Sequence, residues 1–180
     1  MDENHRIIID FRGSNESKNW RIVNDGVMGG LSQSRIVMTQ NSTAIFHGTV
    51  SLENNGGFAS VHTIPRDYGL DDYNVLTVRV KGDGKTYQLR LRTDDGTDGI
   101  SYHADFQTVY EEWIDVDMLF ASFTPTFHGR LVPDAPKLVS GNIRQIGFLI
   151  SDEQEGDFHL EIGWIKAYSR KTKIDVAKSS

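Results

Sequence analysis

Residues 73–92 read YNVLTVRVKGDGKTYQLRLR. On both sides of Gly82-Asp83-Gly84, apolar and polar residues alternate with a period of two, the mark of strands that bury one face. Leu76, Val78 and Val80 form one apolar set, and Tyr87, Leu89 and Leu91 the other. Asp-Gly suits a two-residue turn with positive φ at both central residues. The stretch therefore predicts a hairpin that sets Val80 opposite Tyr87, Val78 opposite Leu89 and Leu76 opposite Leu91. Arg79, Gln88 and Arg90 then share the other face, and a slip of one residue would bury the arginines. Residues 101–108 continue the pattern, with Tyr102, Ala104 and Phe106 on one side and Ser101, His103, Asp105 and Gln107 on the other. The expected polar face thus holds Arg79, Gln88, Arg90, Arg92, His103 and Asp105.

Similar short runs, separated by Gly, Asn and Asp, recur along the whole chain, while helical periodicity is nearly absent. With 17 glycines and 4 prolines, this predicts an all-β domain. Strands are expected at about 6–11, 34–39, 43–51, 58–63, 73–81, 86–93, 101–108, 112–117, 143–151 and 157–168. Three of the four prolines (Pro125, Pro133, Pro136) fall in 119–141, which predicts a long surface connection. Residues 1–170 are expected to form one domain, and 171–180 a flexible basic tail.

The 180 residues carry a formal net charge of -6 and no cysteine. An acidic balance argues against a nucleic-acid backbone binder. Without cysteine there is no disulfide, thiol nucleophile or Cys-ligated zinc. No apolar run approaches the ~20 residues that cross a bilayer, so membrane insertion is not expected. The N-terminus, Met1-Asp2-Glu3-Asn4-His5-Arg6, resembles neither a secretory signal nor a mitochondrial presequence, and predicts a cytoplasmic protein.

Motifs for catalysis fail. There is no Gly-x-Ser-x-Gly elbow, His-Glu-x-x-His pair or phosphate-binding loop. Asp94-Asp95-Gly96-Thr97-Asp98-Gly99 is rich in oxygen ligands, but it lacks EF-hand spacing and reads as a turn, so no metal and no cofactor are assigned. The polar face is either solvated surface or a ligand groove in which arginine forks meet carboxylates, phosphates or sugar hydroxyls. Two loops are dense in turn chemistry. One holds Trp20, Asn24, Asp25, Gly26, Met28, Gly29, Gly30 and Ser32, with Trp20 and Met28 as expected anchors. The other holds Asn55, Gly56 and Gly57. Their paired glycines predict positive φ.

These loops, "WRIVNDGVMGGLS" at 20–32 and "ENNGGFAS" at 53–60, resemble the complex I intermediate-associated protein 30 family. Phe46-His47-Gly48, Gly82-Asp83-Gly84 with Tyr87, Trp113, "FTPTFHGR" at 123–130, Ile146-Gly147-Phe148 and Gly156-Asp157-Phe158 continue the likeness over about residues 5–168. The resemblance implies a galactose-binding-domain-like β-sandwich of jelly-roll type. It also implies a factor that binds assembly intermediates of respiratory complex I, with no catalytic residues to carry over.

Two functions follow as expectations. The first is a non-catalytic, chaperone-like factor whose partner is a membrane-complex subunit or assembly intermediate. Its contact is the polar face or an apolar patch at Phe120, Phe123 and Phe127. The alternative is a carbohydrate- or small-ligand-binding module. Sugar sites usually add an aromatic platform, and no Trp lies among the polar-face positions.

Overall fold

The computed structural model describes residues 5–13, 16–28, 30–96, 98–151 and 154–170. The chain is nearly all β, with strands β1 (His5–Asp10), β2 (Trp20–Asn24), β3 (Gln33–Met38), β4 (Ala44–Val50), β5 (Ala59–Thr63), β6 (Val75–Lys81), β7 (Thr86–Arg92), β8 (Ser101–Gln107), β9 (Trp113–Leu119), β10 (Thr124–Phe127), β11 (Arg130–Leu131), β12 (Gln145–Ile150) and β13 (Gly156–Tyr168). One sheet runs β3-β4-β13-β6-β9, with β1 also on β13, and the second runs β11-β10-β8-β7-β12-β5-β2. The strand pairs within both sheets are antiparallel.

The two sheets bury their apolar sides against each other. Phe46, Val78, Val80, Leu160 and Ile162 come from the first sheet and Val61, Tyr87, Leu89, Leu91 and Ile146 from the second, all at 0% exposure. Aromatic pairs run through the core: Tyr87 meets Phe158 across the two sheets, and within the second sheet Phe106 meets Tyr87 and Phe148, which also meets Trp20. Each fully buried side chain of this size contributes about 1.5–3 kcal/mol.

The expected hairpin at Asp83-Gly84 does not form. β6 pairs with β13 and β9, and β7 with β8 and β12. The turn is an arch that carries the chain from one sheet to the other. Alternation identifies which side chains are buried, and the two apolar sets are indeed buried, but they face each other across the core. Of the two central residues only Gly84 has positive φ (89°), so the hairpin geometry is not met. Asp83 instead ties the arch to β13 and β7: its carboxylate accepts from the His159 amide (2.9 Å), the Lys85 amide (3.1 Å) and the Tyr87 hydroxyl (3.0 Å). Arg79 is thereby placed on the outer face of the first sheet, away from Gln88 and Arg90.

All ten expected strands are present. β2, β10 and β11 were not expected. Asn24-Asp25-Gly26 hides the alternation of β2, and Pro125 masks β10, a strand between β8 and the edge strand β11 whose pairs with β11 are Thr126 and Phe127 and do not include the proline. The connection 119–141 therefore contributes to the second sheet. It also contributes to the core, since Phe120 and Phe123 are buried at 6% and 7% exposure. This corrects the expected apolar patch, of which only Phe127 is exposed. The tail 171–180 lies outside the described residues.

The two motif loops converge on Asp25, which has no exposed surface. Its Oδ1 accepts from the Ser32 amide (3.0 Å), and its Oδ2 from the Ser32 hydroxyl, the Gly57 amide (2.7 Å) and the Phe58 amide (3.3 Å). The Ser32 hydroxyl oxygen in turn accepts from the Ser51 amide. A Cβ at Gly30 would lie 2.3 Å from the Asp25 carboxyl carbon, and one at Gly56 2.5 Å from its Oδ2, so both glycines are required by close approach. Gly57 has φ of 138°, as the turn chemistry predicts. Trp20 is an anchor, packed on Phe11 and Phe148. Gly29 and the side chains of Met28 and Asn55 lie outside the described residues.

Burial works against the Asp25 charge, but the Ser32 hydroxyl and the Gly57, Ser32 and Phe58 amides outweigh it and hold the carboxyl below its ordinary range. A lowered folded pKa stabilises the protein above the unfolded value of ~3.9 and ceases to do so as pH falls through the folded pKa. Asp25→Asn turns one acceptor into a donor facing donors and is expected to cost about 2–3 kcal/mol at pH 7. That is a fall in Tm of roughly 4–12 °C for a chain of this size. In thermal melts from pH 7 to pH 2, the gap from the native chain should shrink below about pH 4; a gap independent of pH would contradict the charged hub. Gly30→Val should destabilise by more than the ~1 kcal/mol of an average point mutant, read in the same melts.

Candidate functional site

The registers of the second sheet line up three rows of side chains on its outer face. The central row runs Arg21, His62, Gly147, Arg90, His103, Thr124, one residue from each of β2, β5, β12, β7, β8 and β10. A second row runs Val23, Ser60, Leu149, Gln88, Asp105. The third pairs Arg92 with Gln145, and Ser101 with Thr126 and Leu131. These residues alternate with the core residues Leu89, Leu91, Tyr102, Phe106 and Phe148, so burial of the apolar side forces the polar side outward.

The structure brings together five of the six expected face residues: Gln88, Arg90, Arg92, His103 and Asp105. Arg79 is not among them. It pairs with Asp115 (2.8 Å) over the Trp113 ring on the opposite sheet. Sequence reading missed Arg21, His62, Gly147 and Leu131. The alternation of 59–63 turns His62 outward, but nothing local reveals that β12 and β5 lie beside β7.

Neighbours orient the polar groups. Arg90 Nε donates to Gln88 Oε1 (3.1 Å), Arg92 Nη1 to the Gly99 carbonyl (2.9 Å), and Arg21 Nη1 to the Lys18 and Trp20 carbonyls. Gln145 Nε2 donates to the Asp94 and Gly96 carbonyls, both at 2.8 Å, which fastens the 93–99 loop at one end of the face. His62 Nδ1 faces the Thr63 carbonyl at 3.0 Å, so this nitrogen carries the hydrogen. Burial, helped by the charges of Arg92 and Arg21, pushes the His62 pKa down, and the ring is neutral at pH 7. Burial also lowers the Arg92 pKa, opposed by Asp94 and Asp98. At Gly147 a Cβ would come within 2.5 Å of the Val61 carbonyl oxygen, so the floor of the central row has no side chain between His62 and Arg90.

The face is bounded by two clefts. One of about 360 Å³ lies between β8 and β9, lined by His103, Asp105, Met118, Ser122 and Arg170 among others. The other, of about 380 Å³, includes Asn24, Ser34, Arg35, His47 and Thr49 in its lining. There Asn24 Oδ1 accepts from the Ser34 hydroxyl (2.7 Å) and the Ser60 amide (3.3 Å), joining β3 to β5. Asn24, Asp25, Gly30, Ser32, Gly56 and Gly57 thus frame the sandwich edge beside the face, and Gly26 is exposed there. Among the described residues, no group of three or more His, Cys, Asp or Glu could hold a metal ion. No helix among them is long and apolar enough to cross a membrane.

Solved structures similar in fold include the family 11 carbohydrate-binding module of the cellulosomal cellulase Lic26A-Cel5E of Clostridium thermocellum. It matches with a TM-score of 0.69 at 15% identity, over 96% of this chain and 99% of the module. The Clostridium thermocellum family 11 module in complex with a β-1,3-1,4-mixed-linked tetrasaccharide matches with a TM-score of 0.67 at 16% identity, over 92% and 95%. At such identity the likeness establishes the fold alone: a β-sandwich of the galactose-binding-domain-like type that these modules share, as expected.

Among sequence relatives, the mouse (Mus musculus) protein named complex I intermediate-associated protein 30, mitochondrial, is 28% identical over 189 residues, covering 93% of this chain and 57% of the mouse protein. The relative of the same name in Drosophila melanogaster is 22% identical, over 88% of this chain and 61% of its own length. The one in Neurospora crassa is 27% identical, over 66% and 49%. The chain therefore spans about half the length of these relatives. All three are named as mitochondrial, which overturns the cytoplasmic location expected from the first residues. The model of the complex I intermediate-associated protein 30 family matches residues 9–162, from the end of β1 through most of β13, and the chain belongs to that family.

Proposed function

We propose that this β-sandwich, acting as one unit over residues 1–170, is a non-catalytic binding domain for assembly intermediates of respiratory complex I. The observation that carries the reading is membership of the family over residues 9–162, together with relatives named for association with complex I intermediates. The outer face of the second sheet is the proposed contact. It gathers Arg90, Arg92, His103 and Arg21 around a glycine floor, with Leu131 62% exposed at one end. Arginine is enriched among the few residues that dominate protein–protein binding energy.

The carbohydrate reading has the fold neighbours in its favour and the aromatic groups against it. Trp113 and Trp164 lie on the outer face of the first sheet, not the second. Arg79 and Lys81 each sit 5.3 Å over the Trp113 ring, and Lys166 sits 4.1 Å over the Trp164 ring. Each indole thus already carries a cation on its face.

The test is capture from detergent-solubilised membranes of mitochondria arrested in complex I assembly, read by mass spectrometry for complex I subunits. The immobilised domain is expected to enrich them. Arg90→Ala and His103→Ala should reduce enrichment while stability stays within about 0.5 kcal/mol, and Arg79→Ala should leave it unchanged. Absence of complex I subunits, or retardation of the domain by a soluble β-glucan in affinity electrophoresis, would overturn the proposal.

A further inference from the structure

We infer that the outer face of the second sheet receives an extended segment of a partner protein that carries carboxylates. The inference rests on reading this face as a partner-binding surface, and it names the chemistry of the partner.

The charges on this face run against the rest of the chain. The protein has 25 acidic and 19 basic residues, and four of its arginines elsewhere find carboxylates, while Arg6 and Arg66 donate to the Tyr68 and Ile8 carbonyls. Arg12 holds Asp10, Arg79 holds Asp115 and Arg144 holds Asp95, each at 2.8 Å, and Arg170 holds Asp117. The three rows of the second sheet hold Arg21, Arg90 and Arg92 against one carboxylate, Asp105. Arg21 and Arg92 direct their hydrogen bonds to main-chain carbonyls, and neither forms an ion pair with a carboxylate among the described residues. Asp94 and Asp98 act on Arg92 only through longer-range attraction.

A guanidinium held partly out of water by carbonyl oxygens keeps its charge and much of its donor fork. A carboxylate from outside would complete it with charge-assisted, bidentate bonds. Arg92 is half-buried, and the nearby His62 ring is neutral, so the positive charge at that end of the face is the arginine's.

The layout fits an extended chain. Six strands at about 4.8 Å spacing make the central row roughly 24 Å long, the span of about seven extended residues. Arg21 and Arg90 lie three strand intervals apart, about 14 Å, which matches carboxylates four positions apart on an extended segment. Gly147 lowers the floor between them, and Leu131 offers an apolar contact on the β11 side. A peptide can meet both the charged and the apolar groups, whereas an inorganic anion has nothing to place on Leu131.

The experiment measures fluorescence anisotropy of a labelled ten-residue peptide with glutamates four positions apart, and of its glutamine counterpart, on the whole chain. The Glu peptide is expected to bind at least about tenfold more tightly than the Gln peptide and to weaken as ionic strength rises. Arg21→Gln and Arg92→Gln should each weaken it about tenfold, while Arg79→Gln on the opposite sheet should not. If Arg92→Gln lowers the melting temperature, the exposed Arg21 carries the comparison. Equal binding of the two peptides, indifference to Arg21→Gln, or tighter binding of tetragalacturonate or inorganic phosphate than of the Glu peptide would overturn the inference. Capture of complex I subunits without Glu-peptide binding would remove the inference and leave the proposed function. Peptide binding without capture would remove the proposed function and keep the inference.

Discussion

The buried Asp25 carboxylate accepts from Ser32, Gly57 and Phe58, and so joins the chain after β2, the entry to β3 and the turn before β5. An ionised group at 0% exposure survives in a protein interior only when hydrogen bonds replace its water. The surrounding loops are therefore built around it. Gly30 and Gly56 are glycines because a side chain would occupy the carboxylate's place, and Gly57 because its backbone must turn to aim an amide at Oδ2. Asn24 extends the same junction to Ser34 and Ser60. Together they pin β2 against β5, and this pairing sets Arg21 beside His62 on the outer face. The loop cluster and the polar face are thus consecutive parts of one arrangement.

Local alternation is written in the sequence because one face of every strand must be buried, and so Leu89 inward and Arg90 outward could be read directly. The partner of each strand is another matter. Tyr87, Leu89 and Leu91 satisfy the core equally well beside Val80, Val78 and Leu76 in one sheet or opposite them in two. The choice is made by contacts far along the chain, such as Asp83 with His159. The same limit hid the central row. Arg21 and Arg90 are 69 residues apart, and they share one row only because β5 and β12 link β2 to β7 in the sheet. Phe120 and Phe123 illustrate a third limit, since a proline-rich connection gives no periodicity from which their burial could be read.

A sandwich shared with carbohydrate-binding modules of Clostridium thermocellum need not share their ligand, because function resides in the groups displayed and not in the scaffold. In this chain the half-buried tryptophans and the arginine-rich row are on opposite sheets. The first sheet closes its indoles with Arg79, Lys81 and Lys166, and the second leaves Arg21 and Arg92 on carbonyl oxygens. The first sheet also pairs Arg79 with Asp115 and Lys81 with Glu161, whereas Arg21 and Arg92 on the second form no ion pair among the described residues.

Photo-crosslinking from the two outer faces decides most directly whether the second sheet is the working surface. A photoreactive residue would be placed at Thr124, at one end of the central row, or at Lys166 on the first sheet, and the adducts formed in mitochondria identified by mass spectrometry. Complex I subunits joined to position 124 and not to position 166 are the expected result. Adducts to complex I subunits from position 166 alone would contradict it.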